Sequence, residues 1–346
     1  MHKGGEGFHV VGAAAVERIL ASRRGAVMDA VANAYLAHAA GRTVNPDSHF
    51  LRFPDRPSAR IIALPARLEA TAGIKWIASF PENRDHDLPR ASAVVILNDM
   101  VTGFPQALLE GSGISAARTA ASAALAAERL AGGRRAQALA VIGAGPIAAT
   151  VLDYLQAAGW AVGEIRVHDL VPARAQALAD RALDTGAAVA ARVAASIPAA
   201  VDGADLVLFA TTAGVPHLQD PGLFTRRHTV LHLSLRDLAV PVILAGQNVV
   251  DDIDHALKAQ TSVHLAEQAT GGRGFIAGTL ADLLAGRLAP DAARPRFFSP
   301  FGLGILDLAV ARLVLEEAVA AGEALAVDGF LPSSTADSGL RQGGVR

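Results

Sequence analysis

The sequence predicts an α/β protein in two parts, a doubly wound parallel sheet and a separate α+β module. Three observations predict it. Short apolar runs alternate with helical stretches from residue 138 to 250. One of those runs meets a glycine pair at the head of a helix, and the texture of residues 59–109 is instead one of short β-type runs separated by turn residues.

The chain begins with residues 14–40, read as two helices with Val16, Ile19 and Leu20, then Val27, Met28, Val31, Tyr35 and Leu36, at helical spacing. Gly41 closes the second. Strands follow at 60–64, 73–79, 93–98 and 104–109, with Asp99 to Gly103 as a hairpin-like connection. This module has no phosphate loop and is expected to supply the substrate side of a cleft. Ser115 is a candidate cap for an Ala-rich helix that runs to about Leu130 and stops at Gly132-Gly133.

The central stretch is Leu139 to Ala148. Gly143 permits the tight turn, Gly145 lets backbone approach a pyrophosphate, Ala148 fills the third small position, and the free amides of Ala144 and Ile147, with the dipole of the helix that Pro146 opens, make an anion site. A glycine-rich turn alone is weak, but a second apolar run, Ile165 to His168, ends in Asp169, 24 residues after Gly145. A carboxylate near that spacing takes the ribose hydroxyls of a dinucleotide and repels a 2′-phosphate. The residues therefore point to NAD on a Rossmann-type sheet, with Arg174 close enough in sequence to leave NADP open.

The rest of the sheet is read as helix 146–158, strand 164–168, helix 172–184 and strands near 188–193, 206–210, 229–233 and 247–250. A mixed segment, 261–303, contains Gly271-Gly272-Arg273-Gly274 as a turn. A strongly apolar helix, 304–321, is expected to return to the first module. The expected domains are 1–118 with 304–330 for substrate binding and dimerisation, and 119–303 for NAD. Residues 331–346, rich in Ser, Gly and charge, are expected to be disordered.

Composition excludes several classes. Net charge is −2 with no basic run, so nucleic acid is not an expected partner. There are no cysteines, hence no thiolate metal site or disulfide. No apolar stretch is long enough for a membrane span and no signal-like run follows Met1, so a cytoplasmic protein is expected.

In open α/β sheets the ligand lies beyond the carboxyl ends of the strands. There stand Thr211 and Thr212, which either line a nicotinamide ribose or form a tight loop. Ser234 and Asp237 follow the next strand; Asp237 is a candidate acid/base, or else a cap or a salt-bridge partner of Arg236. The run Asp251 to His255 reads as an acid-rich helix start rather than a metal cluster. Lys75 and Arg118 are cations in stretches that look buried. They need either a structural carboxylate or a carboxylate-bearing ligand, and Arg118 in a first helical turn would favour the ligand.

These residues resemble the ornithine cyclodeaminase, μ-crystallin and archaeal alanine dehydrogenase family. The likeness covers nearly the whole chain. It rests on Arg52 and Pro65, Gly73-Ile74-Lys75 with Pro81 and Asn83, Ser115 to Ala121, the glycine loop, and Phe301-Gly302-Leu303-Gly304-Ile305-Leu306-Asp307. Within it, Phe50 to Pro54, Ala59 to Pro65, Lys75 to Pro81, Leu88 to Ala93, Ser234 to Leu238 and Val250 to His255 resemble the members that act on N-(2-amino-2-carboxyethyl)-L-glutamate.

The resemblance implies NAD-dependent oxidation of that amino acid conjugate, with water splitting the imine to 2-oxoglutarate and L-2,3-diaminopropionate, a precursor for siderophores. It also implies a homodimer and no metal. It gives Arg52, Lys75 and Arg118 the substrate carboxylate, and Asp237 the acid/base role across a short alignment gap. Lys75 is the other candidate proton shuttle. Ornithine cyclisation, alanine oxidation, ketimine reduction and nucleotide binding without turnover are the alternative activities within the likeness.

Overall fold

The computed structural model describes residues 7–331. The expected disordered tail, Leu331 apart, lies outside them.

The first sheet is built from β1 (Phe8–Val11), β2 (Thr43–Val44), β3 (His49–Phe53), β4 (Arg56–Leu68), β5 (Thr71–Ser79), β6 (Ala91–Asp99) and β7 (Pro105–Glu110), with α1 (Ala13–Ser22) and α2 (Arg24–Ala39) between β1 and β2. A 20-residue helix, α3 (Ser112–Ala131), follows. The second sheet then begins with β8 (Arg135–Ile142), α4 (Pro146–Ala157), β9 (Ala161–His168), α5 (Pro172–Asp184), β10 (Ala190–Val193), α6 (Ile197–Val201), β11 (Leu206–Phe209) and β12 (Thr229–His232). It continues through α7 (Val240–Leu244), β13 (Gln247–Val250), α8 (Ile253–Ala256), α9 (Ser262–Thr270), β14 (Ile276–Thr279), α10 (Leu280–Leu284) and β15 (Arg296–Phe298). The chain closes with α11 (Gly304–Ala320) and β16 (Leu325–Val327), which returns to pair with β1.

The second sheet has the order β10-β9-β8-β11-β12-β15-β13-β14, and every pairing in it is parallel. Its strands are apolar on both sides because helices cover both. Leu139 and Val141 of β8 face α4 and α5, while Ala138, Ala140 and Ile142 join the core beneath α6, α7 and α9. The expected doubly wound sheet is present. The strand order reverses between β8 and β11, which opens a crevice at their carboxyl ends. Among this sheet's strands periodicity did not reveal β14 or β15. Only Arg296, Phe297 and Phe298 form β15, and the mixed segment slots it between β12 and β13.

The first sheet has the order β16-β1-β7-β6-β5-β4-β2, with β3 also on β4, and is antiparallel apart from β1 on β7. β1 and β3 were not legible, being four and five residues long without clean alternation. In β6 the alternation is clear: Ala93, Val95 and Leu97 are buried and Val94 and Ile96 only partly so. The buried face packs on α11, whose Leu308 lies 3.1 Å from where a Cβ on Gly73 would stand. Such a Cβ would also come within 2.1 Å of Ile96 O, so only glycine fits there.

α3 starts at Ser112, three residues before the expected cap. Gly111 precedes it with no side-chain cap, which puts Ser115 inside the helix and Arg118 in its second turn. In that second turn Arg118 does not oppose the helix dipole as a first-turn cation would. Ala117, Ala120, Ala121, Ala124 and Ala127 are buried, and these small side chains let α2, α4 and α11 approach α3 closely.

Candidate active site

Three elements converge on one buried charge cluster. β5 carries Lys75, α3 carries Ser115 and Arg118, and the first turn of α11 carries Asp307, where a carboxylate also suits the helix dipole. Lys75 Nζ lies 2.6 Å from Asp307 Oδ2 and donates to Ser115 Oγ at 3.1 Å; Arg118 Nε donates to Asp307 Oδ1 at 3.1 Å. Burial pulls the Lys75 ammonium down to about 8, against the attraction of Asp307 and with the repulsion of Arg118 adding to the fall.

Two cations against one carboxylate leave the cluster with a net positive charge. The Arg118 Nη atoms donate to no partner among the described residues, and they lie against Gly302, where a Cβ would stand 2.7 Å from Nη1. Gly302 has φ +99, a backbone that favours glycine, and a Cβ there would displace the Arg118 guanidinium. Its loop is pinned from the second sheet: buried Asp251, just after β13, accepts from Phe301 N at 3.0 Å and Gly302 N at 2.5 Å. Burial pushes the Asp251 carboxyl up, in spite of these donors.

The structure thus unites Lys75 and Arg118 through Asp307. Arg52 on β3 stands opposite Arg60 on β4, and Arg60 opposite Ser79 on β5; Lys75 is opposite Leu64. Asp307 is the partner that sequence reasoning left without a role. A lone carboxylate in an otherwise apolar helix start was the signal, since a buried anion requires cations.

Asp237 follows β12 and is wholly buried. Thr211 Oγ1 donates to its Oδ1 at 2.5 Å, His232 Nε2 lies 3.2 Å from Oδ2, and the Ser234 hydroxyl donates to Oδ2 as well. Burial works to raise this carboxyl, and the hydrogen bonds from His232, Ser234 and Thr211 outweigh it and hold it below the usual range. It makes no salt bridge with Arg236, whose guanidinium donates to Ala259 O at 2.7 Å. Leu235, between Ser234 and Asp237, has φ +69, an unfavourable backbone for a leucine. Ser262 N holds it through Leu235 O at 2.8 Å. His232 was not singled out in the sequence; its polar ring in a strand of buried apolar residues was the available sign.

Beyond the ends of β8 and β9 the glycine loop has the shape a dinucleotide needs. Gly143 has φ +91, and a Cβ there would stand 2.6 Å from Ala210 O. At Gly145 nothing lies within 4 Å of a Cβ position, which leaves room for phosphates over the N-terminus of α4, opened by Pro146 and Ile147 with no side-chain cap. Asp169 accepts from Ala144 N and Val171 N, each at 2.8 Å, so its carboxylate braces the loop. Arg174 is exposed in α5, Thr212 is exposed, and Thr211 and Ser234 are half-buried. These residues fit NAD.

The acid-rich run after β13 starts a helix, as the sequence indicated: Asp252 caps α8 by accepting from His255 N at 2.9 Å. Asp252 also joins the two sheets' surroundings, with His38 Nε2 at 3.0 Å and His255 Nδ1 at 3.0 Å. Among the described residues no helix is long and apolar enough to cross a membrane.

Known proteins resemble this chain over most of its length. Residues 9–228 match the model of the ornithine cyclodeaminase/mu-crystallin family. The chain is 32% identical over 311 residues to the NAD(P)H-dependent anabolic L-arginine dehydrogenase DauB of Pseudomonas aeruginosa, covering 87% of this chain and 95% of that protein. It is 27% identical over 302 residues to the N-((2S)-2-amino-2-carboxyethyl)-L-glutamate dehydrogenase of Staphylococcus aureus, covering 84% and 89%. A solved archaeal alanine dehydrogenase dimer with bound NAD superposes with a TM-score of 0.84 at 25% identity, covering 93% of this chain and 99% of that one. By its matched residues and its likeness to these relatives, the chain belongs to the ornithine cyclodeaminase/mu-crystallin family.

Proposed function

We propose that this protein, an NAD-dependent oxidoreductase acting on the CH–NH group of an amino acid derivative, uses N-(2-amino-2-carboxyethyl)-L-glutamate as its substrate. The conjugate and water give 2-oxoglutarate and L-2,3-diaminopropionate, two electrons and one proton leave as hydride, and a second proton is released. NAD supplies the hydride acceptor. The observation that carries the reading is the buried Lys75–Asp307–Arg118 cluster, a net cation on the wall of the cleft that would take a substrate carboxylate.

In this reading Arg118 and Arg52 hold carboxylates and so fix the orientation of the Cα–H bond. Lys75, whose ammonium gives up its proton near pH 8, is the base for the amine or for the attacking water. Asp237 is enclosed by Thr211, Ser234 and His232, so its proton traffic runs through those two hydroxyls, and it fixes them beside the nicotinamide end. Asp169 and the backbone from Gly143 to Ile147 receive the adenosine ribose and pyrophosphate; Thr211, Thr212 and Ser234 flank the nicotinamide ribose. The 27% identity to the Staphylococcus aureus enzyme supports this substrate, as do the stretches in and around Arg52, Arg60 and Asp237.

The protein acts as a homodimer in this proposal. The outer face of the first sheet presents Leu51, Ile61, Ile74, Trp76, Val94 and Ile96, none of them buried, with Leu51 47% and Trp76 41% exposed. An apolar face of that kind suits a second copy of the chain.

A second reading, oxidation of L-arginine, draws on the 32% identity to DauB. Initial rates with NAD and with NADP on the conjugate, L-arginine, L-alanine and L-ornithine decide between them. The conjugate with NAD is expected to give the highest kcat/KM, and a preference for L-arginine would replace the present reading.

A further inference from the structure

On the cleft-facing side of the first sheet, cationic side chains stand at two ends of an apolar strip. In β5 this face carries Lys75, Ile77 and Ser79; in β4 it carries Leu64, Ile62 and Arg60; in β3 it carries Phe50 and Arg52. The Lys75–Leu64 row, with Arg118 and Asp307 over it, is the charge cluster already described. The Ile77–Ile62–Phe50 row comes next and is apolar. The Ser79–Arg60–Arg52 row follows, about 13 Å along the strand from Lys75 at the usual rise per residue.

Arg60 is half-buried and Arg52 stands directly opposite it, so two guanidinium groups share one face with no carboxylate within ion-pair distance of either among the described residues. Arg52 rests on the Phe50 ring, 5.2 Å from its centroid, which keeps it on this face. From the opposite wall, in the loop after β12, comes half-buried Arg236, close enough for the charges of Arg60 and Arg52 to act on it. Its only hydrogen-bond acceptor among the described residues is Ala259 O, a neutral group. Burial, followed by the neighbouring arginine charges, lowers the proton affinity of both Arg60 and Arg236. Like charges gathered from two walls of a cleft and left uncompensated repel one another until an anion enters.

We infer that Arg60 and Arg236 form a second anion subsite that takes the distal carboxylate of a dicarboxylic substrate, while Lys75 and Arg118, with which the family resemblance groups Arg52, take its first carboxylate. The apolar row of Ile62 and Ile77 between the two ends suits the methylenes that separate the carboxylates. The same arginines disfavour a guanidinium or ammonium at the distal end, so the subsite selects acidic over basic amino acid chains. This inference deepens the substrate reading above and rests on it for the identity of the first carboxylate.

Binding to the protein saturated with NADH tests it without requiring turnover. By calorimetry, 2-oxoglutarate is expected to bind at least about tenfold more tightly than 2-oxobutyrate, which lacks the distal carboxylate, as one or two charge-assisted hydrogen bonds imply. In Arg60→Gln and Arg236→Gln that ratio should fall toward one, while Arg60→Lys should keep part of it. Unchanged NADH affinity in each variant reports an intact fold. Equal binding of the two acids by the wild-type protein, or a ratio undiminished in Arg60→Gln, overturns the subsite. Should the ratio behave as expected while the glutamate conjugate is not oxidised, the subsite stands and the reaction assigned above falls.

Discussion

Lys75 Nζ lies 2.6 Å from Asp307 Oδ2, and both side chains are closed to solvent, at 2% and 0% exposure. One residue comes from a strand of the first sheet and the other from the helix that returns to it after the whole second sheet has been built. Arg118 meets the same carboxylate, so the chain's second crossing completes a charge cluster that its first part cannot satisfy.

The pH dependence follows from that pair. With the Lys75 value lowered to about 8, the neutral amine gains population as pH rises through 8, so kcat/KM for oxidation should climb there. Between about 8 and the ordinary 10.5 the unfolded chain keeps a proton that the folded one has released, and stability should rise with pH over that window. Lys75→Met should remove the limb and cost roughly 100-fold to 10,000-fold in kcat, the range for a general base. A pH–rate profile of wild type and variant checks both.

Asp307→Asn leaves the buried Lys75 and the part-buried Arg118 without their counter-charge. A destabilisation of about 3–5 kcal/mol is expected, the usual cost of breaking a buried pair from one side. Because the Asp307 charge raises the Lys75 value, its removal should also move the kinetic limb to lower pH in whatever protein remains folded. Chemical denaturation and the pH profile measure the two effects separately.

Asp237→Asn keeps one acceptor oxygen and turns the other into an amide donor, so either Thr211 or the Ser234 and His232 pair loses its acceptor. The expected outcome is a loss of about 1–3 kcal/mol in stability, as for buried polar groups left unpaired, together with a large fall in kcat. NAD affinity, measured by fluorescence quenching, should change little because the pyrophosphate contacts lie on another loop.

Asp169→Ser removes both the brace on Ala144 and the negative charge near the ribose position. Its NAD affinity should drop and its relative affinity for NADP should rise. Titration with the two reduced dinucleotides reads the ratio, and an unchanged ratio would place the ribose elsewhere.

The clasp of Asp252 with His38 and His255 joins the helices of the first part to the loop after β13. Hydrogen bonds from His255 and His38 hold the Asp252 carboxyl far below 3.8, and the Asp252 hydrogen bond lifts His255 above 6.5, against burial and the charge of Lys258. Asp252 therefore adds stability above pH 3.8 and loses it in acid; His255 adds stability below pH 6.5 and loses it as pH rises through its lifted value. Thermal melts should show the clasp strongest between those limits, and His255→Gln should flatten the alkaline side.

Much of this was legible in the sequence, for a physical reason. The parallel strands, the glycine turn and Asp169 are local: each is specified by residues within a few positions of one another. Lys75 and Arg118 were visible as cations in apolar surroundings. What made them a cluster, Asp307, lies 189 residues beyond Arg118, and no periodicity connects the two. Ser115 looked like a cap because serine commonly caps, yet the helix begins at Ser112 and Ser115 faces Lys75 instead. β15 escaped because three residues carry no period, and Arg60 escaped because alternate residues in a strand say which side chains share a face but not which partner strand lies opposite.

The most direct test of the whole account is a product balance. Purified protein, NAD and N-(2-amino-2-carboxyethyl)-L-glutamate should yield NADH, 2-oxoglutarate and L-2,3-diaminopropionate in equal amounts, measured by absorbance and mass spectrometry. Folded protein that binds NAD and leaves the conjugate intact, or consumes it without net NADH, would contradict it.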